Sequence, residues 1–192
     1  MNKSLVVCLL VILGAGSAAF ATTTSQIWYF ETDALTPAPD VVNNPNGDPL
    51  LQVVPGPGGW LEPGIWSLSG EIDIIIPNDP TLRERKEIQL ELLWAPGGQD
   101  PFLPDRPLVG VSAVPMDALS MAVTDEPAAG GDWILSTYQI TIWPNPPEEW
   151  IAIKGDILVD QIAIETKCVP EPATLGLLSL GAVTLLRYSR KR

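Results

Sequence analysis

Apolar and polar residues alternate over long stretches of the chain, which is the pattern of β-strands that bury one face. In 64–77, large apolar residues occupy even positions and polar residues occupy odd positions. The same period continues in 86–94 and 133–143, and 156–166 is predicted as the last strand. Shorter predicted strands cover 26–31, 50–54, 107–114, 119–123 and 150–154.

Turns rich in proline and glycine separate these segments. Proline can neither continue a helix nor donate to a sheet, so its frequency excludes a helical body. Only 79–87 and 115–120 leave room for a helical turn. Eight or nine strands joined by such turns predict an all-β fold, an antiparallel jelly-roll-like β-sandwich, for an ectodomain over 22–168.

The first 21 residues have the composition of a secretory signal peptide. Lys3 gives a positive start, 5–13 is an unbroken apolar run, and Ala19 and Ala21 are the small residues of a cleavage site. Nine apolar residues are far fewer than the ~20 that span a bilayer. We therefore predict export and cleavage rather than a retained anchor.

Residues 169–192 form a second segment with three parts. The motif Pro170, Glu171 and Pro172 is kept extended by its prolines. An apolar stretch, 173–186, follows, and we predict that it forms a C-terminal anchor helix. Fourteen residues at 1.5 Å each reach ~21 Å, less than the ~30 Å of a hydrocarbon core, which fits a transient membrane stop. Its basic end stays cytoplasmic under the positive-inside rule and contains Arg187, Arg190, Lys191 and Arg192.

This arrangement resembles the PEP-CTERM sorting signal of Gram-negative bacteria. The resemblance implies processing by an exosortase, a membrane cysteine enzyme, with Pro170, Glu171 and Pro172 as the recognition residues. It also implies passage through the inner membrane to the cell surface or the extracellular matrix, often together with exopolysaccharide. It implies nothing about the activity of the ectodomain.

Charge and missing residue types exclude several classes of function. Between 22 and 169, six basic residues stand against twenty-two acidic ones, so nucleic acid is an unfavourable partner. The chain has no histidine, which removes imidazole acid–base chemistry and imidazole metal ligation. Cys168 is the only cysteine after the signal peptide, which excludes a thiolate zinc site and an internal disulfide. For Cys168 an intermolecular bridge, a modification and an unreactive thiol remain open.

Hard oxygen donors cluster in one turn around Gly47. Such donors suit Ca²⁺, although the spacing does not match an EF-hand and the same residues are common in ordinary turns. The candidate calcium ligands are Asp40, Asn43, Asn46 and Asp48. No other cofactor is predicted.

Seven tryptophans are present. Trp66 and Trp94 fall on apolar faces and are predicted to be core residues. Trp60, Trp143 and Trp150 lie in or beside loops, where they either close the ends of the sandwich or stack on sugar rings through their flat faces.

Two further features concern carbohydrate. Glu148 with Glu149, and Glu71 with Asp73, are carboxylate pairs that a glycoside hydrolase could use, although such residues are usually solvated surface. The segment 159–162 is similar to the last strand of galactose-binding-like jelly rolls, which often carry an inward aspartate such as Asp160 and are frequently carbohydrate-binding modules.

The sequence therefore predicts a non-enzymatic envelope or matrix protein with a structural or binding role. The first alternative is a carbohydrate-binding module that holds the protein in exopolysaccharide. The second is a glycoside hydrolase that uses two carboxylates.

Overall fold

The computed structural model describes residues 22–61, 64–81, 83–97, 106–128 and 131–169. Ten strands account for most of them, and no helix occurs in these ranges. The strands are β1 (Thr22–Trp28), β2 (Val41–Asn43), β3 (Leu50–Val54), β4 (Gly59–Leu61), β5 (Ile65–Pro77), β6 (Arg85–Pro96), β7 (Leu108–Ala113), β8 (Ala118–Pro127), β9 (Ile134–Trp143) and β10 (Glu148–Val169).

The alternating segments are confirmed as strands, whereas the two suggested helical turns are not formed in the described residues. Strand β6 begins at Arg85, inside 79–87, and β8 begins at Ala118, inside 115–120. The sequence prediction missed β2 and β4, which are three residues each and too short to show a period.

Strand β10 organises the fold because it pairs with four other strands, all antiparallel. Its first half lies between β5 and β7, and its second half lies between β1 and β6. Two branches therefore share β10: one contains β3, β4, β5 and β7, and the other follows the order β2-β1-β10-β6-β9-β8. Side chains from both branches form a single buried core.

Hydrogen bonds join all ten strands into one antiparallel sheet. The all-β class predicted from the sequence is confirmed. The jelly-roll-like arrangement of two separate sheets stays a prediction, because β10 contributes its hydrogen bonds to both branches.

The prediction divided β10 wrongly into 150–154 and 156–166. Gly155 does not interrupt the strand, because it pairs with Gly70 of β5. The pairing with β6 shifts register between Val159 and Gln161, which inserts one extra residue at Asp160. Buried apolar side chains occupy odd positions before this bulge and even positions after it. The bulge thus keeps one apolar face of β10 directed to the core along the whole strand.

Trp66 and Trp94 are buried core residues, as predicted. The inward residues of β5, β6 and β9 lie at even positions and are mostly isoleucine and leucine. Among the described residues, no helix is long and apolar enough to cross a membrane. The predicted signal peptide with Ala19 and Ala21 and the predicted anchor helix lie outside the described residues.

Candidate functional site

A shallow groove of ≈ 310 Å³ crosses the outer face of the branch that contains β5, β7 and the first half of β10. Ala152 lies between Asp73 of β5 and Gly110 of β7, so small residues form its floor. Trp150 lies two residues earlier on the same face of β10 and is 50% exposed. The groove therefore combines an exposed indole with a low floor that leaves room for a flat ligand.

Charged side chains lie at the other end of this surface. Lys154 Nζ is 3.2 Å from Glu71 Oε2. Partial burial raises the pKa of Asp73, the neighbouring Glu71 charge raises it further, and Lys154 opposes both. An indole beside polar groups is suited to a sugar ring, whose C–H face packs on the π surface while its hydroxyls bond to polar atoms.

The three tryptophans proposed for stacking do not form one platform. Trp60 lies opposite Trp66 on β5, and Trp150 lies opposite Ile75, nine residues and about 30 Å further along that strand. Trp60 packs against the core, and its Nε1 donates to the Phe30 carbonyl at 2.8 Å. Trp143 is half-buried at the end of β9. Trp150 is the one of the three whose side chain lies in the groove.

The candidate calcium ligands are used in part for turn contacts. Asp40 Oδ2 accepts the Tyr29 amide at 2.7 Å, and the Asn46 amide donates to Asn44 Oδ1 at 3.0 Å. Asn43 is exposed in β2, and Asp48 is exposed beyond Gly47. No group of three or more acidic, histidine or cysteine side chains that could hold a metal occurs in the described parts of the chain.

The two carboxylate pairs have different environments. Glu71 and Asp73 share the outer face of β5, next to the groove. Glu148 is exposed, but Glu149 is completely buried, so the prediction of solvated surface is wrong for Glu149. Strand alternation explains the difference, since adjacent residues of β10 point to opposite faces.

Glu149 belongs to a buried polar cluster that the sequence reasoning missed. Its partners are Lys86 and Asn78, and Cys168 lies opposite Lys86 in the sheet. The sequence did contain a signal for the burial of Lys86, because Lys86 lies at an even position like Ile88 and the other inward residues of β6. Burial raises the pKa of the Cys168 thiol, which favours an unreactive thiol over the alternatives.

The described fold is that of an all-β antiparallel domain whose last strand ends at Val169. The chain carries the PEP-CTERM protein-sorting motif, whose family model matches residues 169–192. This motif identifies a secreted protein that is sorted by an exosortase to the cell envelope or surface, as the sequence predicted. Comparison with curated proteins and with solved structures gave no match. The motif residues Pro170, Glu171 and Pro172 and the membrane stop at Arg187, Arg190, Lys191 and Arg192 lie outside the described residues.

Proposed function

We propose that the protein is a non-enzymatic component of the envelope or extracellular matrix, displayed as a folded β domain after an exosortase has processed its C-terminus. The supporting observation is that Val169 is both the last residue of β10 and the first residue of the matched motif. The recognition sequence therefore begins where the central strand of the domain ends. The processed product is the β domain with only a short C-terminal remnant.

Several carboxylates support a structural role because they are engaged within the protein. Glu149 lies beside Lys86, Asp79 is bound by Arg83 at 3.0 Å, and Glu71 lies beside Lys154. Under this proposal these groups hold strands and connections together rather than act on a substrate.

Replacing Glu171 by alanine in the full chain tests the sorting step. We expect the variant to accumulate in the inner-membrane fraction with its C-terminal segment attached, because exosortase recognition needs the motif. Glu165→Ala, an exposed residue of β10, is the control and should be sorted as the wild type. Surface display of Glu171→Ala at the wild-type level would contradict recognition at this motif.

The groove beside Trp150 favours a second candidate function, retention in exopolysaccharide. The exposed indole, the floor at Gly110 and Ala152, and the polar group of Asp73 are what a sugar-stacking site requires. Sugar binding fits an exported matrix protein, since the ligand would surround it.

Trp150→Ala is expected to weaken polysaccharide binding about fivefold, since loss of one aromatic contact removes about 1 kcal/mol. Affinity electrophoresis of the full chain in neutral and acidic polysaccharide gels measures the effect. Trp150→Phe should retain most binding, and Leu119→Ala, an exposed residue of β8, should bind normally. If Trp150→Ala and the wild type migrate equally in every polysaccharide gel that retards the wild type, binding through this groove is excluded.

A further inference from the structure

Lys86, Asn78 and Glu149 meet at the end of the domain where β5 is connected to β6 and β9 to β10. Asn78 directly follows β5, Lys86 is the second residue of β6, and Glu149 is the second residue of β10. The Lys86 and Glu149 side chains are 0% exposed, and Asn78 is 4% exposed. A primary amine, a carboxamide and a carboxyl group thus share a site that excludes water.

The contacts within this site follow a definite order. Lys86 Nζ donates to Asn78 Oδ1, and Asn78 Nδ2 donates to Glu149 Oε2. Asn78 Nδ2 also donates to the Pro146 carbonyl at 3.0 Å, which fixes the orientation of the amide. Lys86 Nζ also lies 3.5 Å from Glu149 Oε1. The amine of Lys86 therefore contacts the oxygen that is bonded to Asn78 Cγ, and the carboxyl group of Glu149 contacts the nitrogen that is bonded to the same carbon.

Burial favours the uncharged form of Glu149. Desolvation raises the pKa of Glu149 to about 6, although the Lys86 charge and the hydrogen bonds of Asn78 and Lys86 oppose it. Transfer of one proton from the Lys86 ammonium to the Glu149 carboxylate removes both charges from a site closed to solvent. It also leaves the amine with a free electron pair, which is the nucleophilic form of lysine.

We infer that Lys86 and Asn78 join in a spontaneous intramolecular amide bond, with Glu149 as the proton carrier. The Lys86 Nζ electron pair attacks Asn78 Cγ and forms the new C–N bond. Glu149 returns its proton to Nδ2 as the Cγ–Nδ2 bond breaks, and it takes up the proton that Nζ loses. One ammonia leaves, and no oxidant, metal or further reactant is needed.

The bond would connect the two branches of the sheet. Strands β5 and β6 pair on opposite sides of β10 and do not pair with each other. It would also lie at the end of the domain from which the sorting motif leaves, because the Glu84 amide donates to the Val169 carbonyl at 3.1 Å. A covalent cross-link there would strengthen the domain next to its point of attachment, in a chain that has no disulfide in this region.

Peptide mapping of the full wild-type chain tests the bond directly. Cleavage after glutamate in denaturant separates residues 72–84, which contain Asn78, from the tripeptide 85–87, which contains Lys86. We expect the two peptides to remain joined. The mass of the joined product should equal the sum of the two peptide masses minus the mass of one ammonia. Two separate peptides of unmodified mass would overturn the inference, because the contact would then be an ion pair and hydrogen bond only.

Glu149→Gln tests the role of the carboxyl group, since glutamine fits the same space but cannot carry the proton. We expect separate peptides from this variant and joined peptides from Glu148→Gln, its exposed neighbour. Tryptophan fluorescence of the full chain verifies that Glu149→Gln is folded. Joined peptides from folded Glu149→Gln would contradict the role of Glu149, and if the variant does not fold, the wild-type map alone decides on the bond.

Discussion

Replacing Lys86 by alanine is expected to lower the free energy of unfolding by about 3 to 5 kcal/mol. Lys86 is buried beside Glu149, and Asn78 accepts its hydrogen bond. Without the lysine, Glu149 is either a lone buried charge or a proton-bound acid with fewer partners, and both states cost free energy. The amide bond inferred above would add to this loss. Chemical denaturation of the full chain, monitored by tryptophan fluorescence, measures it.

An exposed pair of the same chemistry supplies the control. Lys154 is 50% exposed beside Glu71, and Lys154→Ala should cost no more than about 1 kcal/mol. The double replacement Lys86→Met with Glu149→Leu should recover the part of the Lys86→Ala loss that comes from the buried charge, because no uncompensated charge remains. If Lys86→Ala and Lys154→Ala lower the free energy of unfolding by the same small amount, the buried lysine contributes no more to stability than the exposed one, which would contradict this prediction.

The domain is also expected to be more stable in weak acid than at neutral pH. Burial raises the pKa of Glu149 from 4.5 to about 6, so the folded state holds a proton that the unfolded state releases. The stability from this group is therefore complete below pH 4.5 and is lost as the pH rises through about 6. The loss is about 2 kcal/mol, at about 1.4 kcal/mol per pH unit of difference. Urea denaturation at pH 4.5 and at about pH 7 measures it.

The other carboxyl groups with a shifted pKa, which are Asp73, Asp79 and Asp160, do not reverse this trend in the same pH window. Partial burial raises the pKa of Asp73 and of Asp160, which acts in the same direction. Hydrogen bonds from Thr81 and Arg83 lower the pKa of Asp79 from 3.8 to about 2, so its contribution is lost only in stronger acid. Glu149→Gln should reduce the pH dependence, and Glu148→Gln should leave it unchanged. A wild-type stability that falls steadily from neutral pH to pH 4.5 would contradict the assignment.

Alternation of apolar residues predicted β5, β6 and β9 well because each of these strands has one face in the core. The bulge in β10 could also have been predicted from the sequence, since its isoleucines change from odd positions, as at Ile153, to even positions, as at Ile162. The pairing of β10 with four strands could not have been predicted from the sequence. It depends on register between segments far apart in sequence, and a single sequence carries no record of those contacts.

The site was predictable only in part for the same reason. Trp150 was identified from its place beside a loop, but its groove exists because Ala152 and Gly110 become neighbours across two strands. The buried cluster was missed because Lys86 and Glu149 are ordinary residues in sequence. Their importance comes from inward positions on two strands that start at the same end of the domain.

The mass of the mature C-terminus is the most direct test of the central claim, that this chain is an envelope or matrix protein processed by an exosortase. Protein released from the cell surface should be isolated without affinity tags and its C-terminal peptide sequenced by mass spectrometry. We predict that the chain ends at or near Pro170–Pro172 and lacks the basic residues from Arg187 to Arg192. A surface-released form that keeps an intact Arg192 terminus would contradict processing at the motif.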